Sequence, residues 1–179
     1  FLMPFYLIQG RMFSSAEAGL LLAAQPVVMA IVAPISGTLS DRRGTRWLAA
    51  IGMAVLTVGL VLLAQLDAES SIGTIVLALV IMGFGTGLFI SPNNSALMGS
   101  APRQRQGIAA GILATARNFG MVLGVGIAGS IFTTLLARGD GNYLAGEDVF
   151  FRAIQVSLLV AAAFTLLGVF TSVSRVERK

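Results

Sequence analysis

The feature that most constrains this chain is a pair of long runs without a single charge, Ala18 to Ser40 and Trp47 to Leu66. Between them lies only the short charged stretch Asp41-Arg42-Arg43-Gly44-Thr45-Arg46. Each run can cross the ~30 Å hydrocarbon core of a bilayer, which takes about 20 apolar residues. A charged link this brief between two such spans predicts a membrane hairpin, with Gly37 and Gly44 where backbones approach or turn and a Cβ would clash. Composition agrees, since 56% of the 179 residues are hydrophobic and 11% are charged, against about 25% charged in soluble domains. In a soluble protein the net charge of +4 would raise nucleic acid as a partner. Here the basic residues flank apolar spans, so topology accounts for them and no nucleic acid is expected. The chain has no cysteine and no histidine, which excludes disulfides, thiol chemistry, imidazole metal sites and His-based triads. No metal site, catalytic group or cofactor is expected.

Taken in order, Phe1 to Gly10 reads as the last part of a first helix whose beginning is missing. Ser14-Ser15-Ala16-Glu17 has the spacing of a capping box, and the second helix should run from there to about Thr38, carrying Gln25, Pro26 and Pro34. Proline in a membrane helix frees carbonyls that only neighbouring helices or water can satisfy, so this helix belongs inside a bundle. The third helix is Arg46 to about Leu66, followed by the acidic turn Asp67 to Ser71. The fourth spans Ile72 to Gly99 and contains Gly83-Phe84-Gly85-Thr86-Gly87 and Ser91-Pro92-Asn93-Asn94-Ser95. A nucleotide loop is a poor reading of those glycines, because no strand precedes them and they lie within an apolar span. Asn93 and Asn94 are expected to cap an irregular helix end, since Asn bonds its own backbone readily.

The fifth helix, Gly107 to Leu136, has Gly107, Gly111, Gly120 and Gly124 at spacings that favour close helix packing in lipid. A polar loop from Arg138 to Asp148 leads to the sixth, Val149 to Val173, and a basic tail ends in Arg175, Arg178 and Lys179. Arginine and lysine gather on one side of this hairpin series: Arg42, Arg43 and Arg46, then Arg103 and Arg105, then the tail. That side is expected to be cytoplasmic, C-terminus included. The fold class predicted is an all-α membrane bundle of six helices, the first truncated.

The pattern G-x-L-S-D-R-x-G-x-R-x-L over Gly37 to Leu48 resembles the signature loop of the major facilitator superfamily, departing from it at Thr45, where that family usually has Arg or Lys. The resemblance implies one half of a facilitator fold, the C-terminal one given the short basic tail, with residues 1–179 forming a single helical bundle. Such halves are three-plus-three inverted repeats that enclose a midplane site between them. Leu7-Ile8-Gln9-Gly10, Gly83-x-Gly85-x-Gly87 through Asn94, Gly107 to Gly111 and Ala116 to Gly120 further resemble the fourteen-helix drug:proton antiporters. That implies a multi-pass protein of a bacterial plasma membrane. Its partners would be the lipid bilayer, the missing N-terminal half and a small amphipathic substrate, exchanged for protons whose site lies in that other half.

By the same resemblance Asp41 would contact a helix of the opposite half and lock one side shut, with Arg42 and Arg46 completing the charge network and Gly37 and Gly44 serving the backbone. The alternative is that these charges are solvated topology determinants. Arg117 is the one ionisable residue deep within a span. Arginine costs about 2.5–3.5 kcal/mol at a helix centre, so it needs a polar partner or must snorkel to the headgroups. Gln25, Asn93, Asn94 and Asn118 are amides that could line a cavity or simply serve helix packing. The functions weighed are drug efflux, nutrient import and a non-transporting membrane scaffold or sensor. An enzyme is not expected.

Overall fold

The computed structural model describes residues 1–138 and 146–174. The basic tail from Arg175 to Lys179, residues 139–145 of the polar loop, and the side chains of Arg43, Arg138, Glu147, Asp148, Val173 and Ser174 lie outside the described set. Among the described residues there is no strand. Helix α1 (Leu2–Phe5) continues as a π-helical turn over Tyr6–Gly10, and α2 (Ser15–Leu22) and α3 (Ala24–Arg43) form one membrane-crossing unit. Then come α4 (Thr45–Ala64), α5 (Ile72–Ser100), a 3-10 turn (Arg103–Arg105), α6 (Gln106–Arg138) and α7 (Gly146–Ser174). Counting α2 and α3 together, the described residues form six helical units, and five of them are long and apolar enough to cross a membrane. Short links make neighbours in sequence run antiparallel, so the ends of α3, α5 and α7 gather with the starts of α4 and α6.

The local rules are visible at the starts and breaks. The Ser14 hydroxyl accepts from the Glu17 amide at 3.3 Å while the Glu17 carboxylate accepts from the Ser14 amide at 2.9 Å, closing the capping box. The second unit breaks at Ala23, because Pro26 has no N–H for the Leu22 carbonyl and its ring crowds it. At its far end the helix does not stop near Thr38 but runs to Arg43. Gly37 through Arg43 are therefore helical, and the link to α4 shrinks to Gly44, whose φ of +86° suits glycine. Asp41 thus sits inside the last turn of α3 and not beyond it.

Helix α5 is the centre of the packing, lying between α3 and α4. A Cβ on Gly83 would stand 2.5 Å from the Gln25 carbonyl oxygen of α3, and one on Gly85 2.5 Å from the Leu56 nitrogen of α4. Gly87 meets Val32 of α3, while Gly52 and Gly59 of α4 meet the backbone of α5 at Phe89 and Met82. Alternate glycines on one helix thus serve two neighbours, which is the close approach that packing in lipid requires. Pro92 does not end α5, which continues to Ser100. Asn93 and Asn94 are therefore interior helix residues and not caps. The helix tolerates Pro92 because the Leu88 carbonyl, deprived of its amide partner, accepts the hydroxyl of the buried Ser36 of α3 at 3.1 Å.

At the opposite end α1 is pinned down. Leu2, Met3, Tyr6 and Leu7 are buried with Leu63, Ile75 and Leu79. The Tyr6 hydroxyl donates to the Asp67 carbonyl at 2.7 Å, and the Arg11 guanidinium donates to the Ser70 carbonyl at 2.5 Å. Phe5, Phe132 and Phe150 link α1, α6 and α7 through ring contacts of 6.0 and 5.5 Å.

Candidate functional site

The sequence motif and a sizeable cavity meet at the end where α3 stops and α4 starts. Gly44 turns the chain in a backbone conformation closed to other residues, leaving the α4 amides uncapped by any side chain. On the α3 side, Gly37 lies against α5 so closely that a Cβ would be 2.8 Å from the Ser91 hydroxyl. The Ser40 hydroxyl bonds back to the Gly37 carbonyl at 2.9 Å, and the Gly44 amide closes the last turn on the Ser40 carbonyl at 2.9 Å. Asp41 and Arg42 are exposed on this rigid corner. Among the described residues the Asp41 carboxylate takes part in no hydrogen bond or ion pair.

Arg46, one turn into α4, is half-buried and lines a cavity of about 680 Å³ between α4, α5 and α7. Thr45, Asn93, Ser100, Thr171 and Ser172 supply its other polar groups, and Met53 and Phe89 part of its apolar wall. A guanidinium with an amide and hydroxyls over an apolar wall can hold a small group that is part polar and part apolar. Two residues singled out for different reasons, Arg46 and Asn93, are therefore brought together. Asn94, next in sequence, is not among the residues lining this cavity. Gln25 lies at the α3–α5 crossing, where its backbone meets Gly83.

Arg117 and Asn118 are exposed on α6, far along the chain from this cavity, and Arg117 has no bonding partner among the described residues. Around Gly107, Gly111, Gly120 and Gly124 no described atom, apart from adjoining residues and the backbone of α6 itself, stands within 4 Å of the Cβ position. The glycines in close contact with a neighbouring element include Gly37, Gly52, Gly59, Gly83, Gly85 and Gly87. The signal that could have found them is the i, i+4 pair Gly83 and Gly87 beside Gly85 in a helix with proline. No group of three or more acidic side chains that could hold a metal occurs among the described residues.

The sequence that folds in this way has relatives. The Major Facilitator Superfamily family matches residues 1–179. The chain belongs to the major facilitator superfamily. Within that superfamily it is 34% identical over 173 residues to the riboflavin transporter RibZ of Clostridioides difficile, covering 97% of this chain and 38% of that protein. It is also 34% identical over 178 residues to the uncharacterized transporter YebQ of Escherichia coli, covering 98% of this chain and 35% of the relative. The multidrug resistance protein Stp of Mycobacterium tuberculosis is 29% identical over 155 residues, covering 86% and 29%. The chain thus spans little more than a third of the length of the first two facilitators. It is part of a multi-pass membrane fold consistent with one facilitator half.

Proposed function

We propose that this bundle is the C-terminal half of a secondary transporter of the fourteen-helix drug:proton antiporter branch, exporting small amphipathic compounds in exchange for protons. The observation that carries the reading is the Asp41–Arg46 corner. It is a rigid helix junction that holds an exposed carboxylate and guanidinium at the arginine-rich end and sets Arg46 in a cavity with Asn93. In this reading the arginine-rich end faces the cytoplasm of a bacterial cell, with the C-terminus on that side. Asp41, Arg42 and Arg46 then meet the N-terminal half when the transporter closes on that side, and Gly37 and Gly44 keep the corner stiff. No carboxylate lies in the interior of any described span, so the proton-carrying acid is assigned to the other half.

The test is transport by the full-length protein in proteoliposomes with an imposed pH gradient. Export of a lipophilic cation dye should stop when the gradient is collapsed. Asp41→Asn should reduce turnover strongly while leaving expression and dye binding intact. Unchanged transport at normal expression would remove Asp41 from the gate. A second reading, uptake of a nutrient, is favoured by the similarity to a protein named as a riboflavin transporter. Substrate accumulation inside the vesicles, independent of the dye, would select it.

A further inference from the structure

The geometry points to the cavity between the start of α4 and the ends of α5 and α7 as a seat for one anionic phospholipid of the adjoining leaflet. Arg46 and the Thr45 and Ser172 hydroxyls take its phosphate, and Asn93 takes a glycerol ester carbonyl. This rests on the fold and not on any transport activity.

The depth of the cavity in the bilayer follows from α4. That helix has 20 residues, about 30 Å, which is one hydrocarbon thickness. Thr45 and Arg46, its first two residues, therefore stand at the boundary with the headgroups. Trp47 beside them is exposed, and tryptophan is enriched at that boundary. Ser100, the last residue of α5, and Ser172, near the end of α7, line the cavity at the same end. The apolar lining lies further in. Ala49 and Met53 are about 6 and 12 Å along α4 from Thr45, and Phe89 is about 16 Å back along α5 from Ser100. Polar at the helix ends and apolar towards the centre, the cavity has the polarity of a lipid with its head outward. A water-soluble anion would leave the inner wall uncovered.

The hydrogen-bond inventory fits that occupant. The Ser100 and Thr171 hydroxyls are committed to carbonyls of their own helices, Leu97 at 2.7 Å and Gly168 at 2.9 Å. Those of Thr45 and Ser172 make no hydrogen bond among the described residues. Arg46 adds a guanidinium, whose planar fork matches two phosphate oxygens. No acidic side chain is among the described residues that line the cavity. Basic pockets between membrane helices hold anionic lipid heads in this way. Deeper in, about 10 Å along α5 from Ser100, the half-buried Asn93 amide also has no hydrogen-bond partner among the described residues. An amide withdrawn from water needs a partner, and the ester carbonyls below a phosphate are the acceptors that a lipid brings to that level.

Native mass spectrometry of the full-length protein tests this by counting lipids retained after phosphatidylglycerol or phosphatidylcholine is added in detergent. The expected result is one tightly retained phosphatidylglycerol and no matching phosphatidylcholine. Arg46→Met should weaken that retention about tenfold or more. Arg42→Gln, which removes an exposed charge outside the cavity, should leave it unchanged. Ala96→Phe fills the cavity without touching a charge and should abolish retention while the protein still elutes as one folded species. It decides alone where Arg46→Met does not fold. Equal retention of the two lipids, or retention unchanged by Ala96→Phe, overturns the proposal. Release of the lipid by millimolar inorganic phosphate assigns the cavity to a soluble anion and overturns it too. The readout is bound lipid and not turnover, so a failed transport reading leaves it unaffected.

Discussion

At Leu88 the backbone carbonyl has no helical partner, because Pro92 four residues on lacks an N–H, and the Ser36 hydroxyl of α3 donates in its place at 3.1 Å. Removing it by Ser36→Ala leaves an acceptor unmet at a buried helix crossing, a loss of about 1–3 kcal/mol. The variant should melt earlier in detergent. In a Pro92→Ala background, where an amide is restored to Leu88, the same change should cost little. Equal losses in both backgrounds would show that the hydroxyl acts by packing alone. Pro92 is visible in the sequence as a helix interruption, and the sequence reading places the two asparagines after it at a helix end. The donor that lets the helix run through is 52 residues away and carries no local mark, so the sequence could not supply it.

Among the elements, α5 depends most on having no side chain. A methyl at Gly85 would meet the Leu56 nitrogen at 2.5 Å and the Gly52 carbonyl at 2.8 Å, both backbone atoms that cannot rotate away. Gly85→Ala should therefore push α4 from α5 and destabilise by about 1–3 kcal/mol or more, read as a lowered melting temperature, whereas Gly111→Ala should have no effect within the bundle described. The contrast shows what was legible. Helix number, the Ser14–Glu17 cap and the hairpin at Gly44 follow from local chemistry and are seen in the fold. Small-residue spacing, however, looks the same on α5, where neighbours fill it, and on α6, where described neighbours do not. At the opposite end, the α4–α5 turn is held by Asp67, whose carboxyl is kept below the ordinary carboxylate range first by the Ser70 hydroxyl at 2.7 Å and then by the Glu69 amide. A depressed value means that the stabilisation is complete above the ordinary pKa and is lost as pH falls through the lower folded value. The protection factor of the Glu69 amide, which is corrected for the intrinsic pH dependence of exchange, should be flat from neutral pH down to about 4 and fall below it. Asp67→Asn should remove that acid limb.

On the scale of the whole molecule, the side of α6 that carries Arg117 decides how this bundle is embedded in its surroundings. The helix has 33 residues, roughly 50 Å, and Arg117 lies about 16 Å from its start, about one turn inside a ~30 Å hydrocarbon layer when the overhang is shared between the two ends. An arginine there costs about 2.5–3.5 kcal/mol unless it meets water or a polar group, and among the described residues it meets none. In the membrane, therefore, either a segment outside the described residues supplies acceptors or the side chain climbs to the headgroups. Arg117→Leu separates these, with Arg117→Lys beside it. If acceptors from another segment hold the guanidinium, the leucine variant strands them in an apolar setting. Folded yield or turnover then drops, and lysine restores part of it, since it keeps the charge but loses the planar donor fork. If the side chain reaches the headgroups, leucine removes a cost and disturbs nothing, so yield and turnover match the parent in all three proteins. Folded yield is measured by size exclusion and turnover in the same proteoliposomes. A drop in turnover alone, at full yield, would assign Arg117 to the transport path and not to the scaffold.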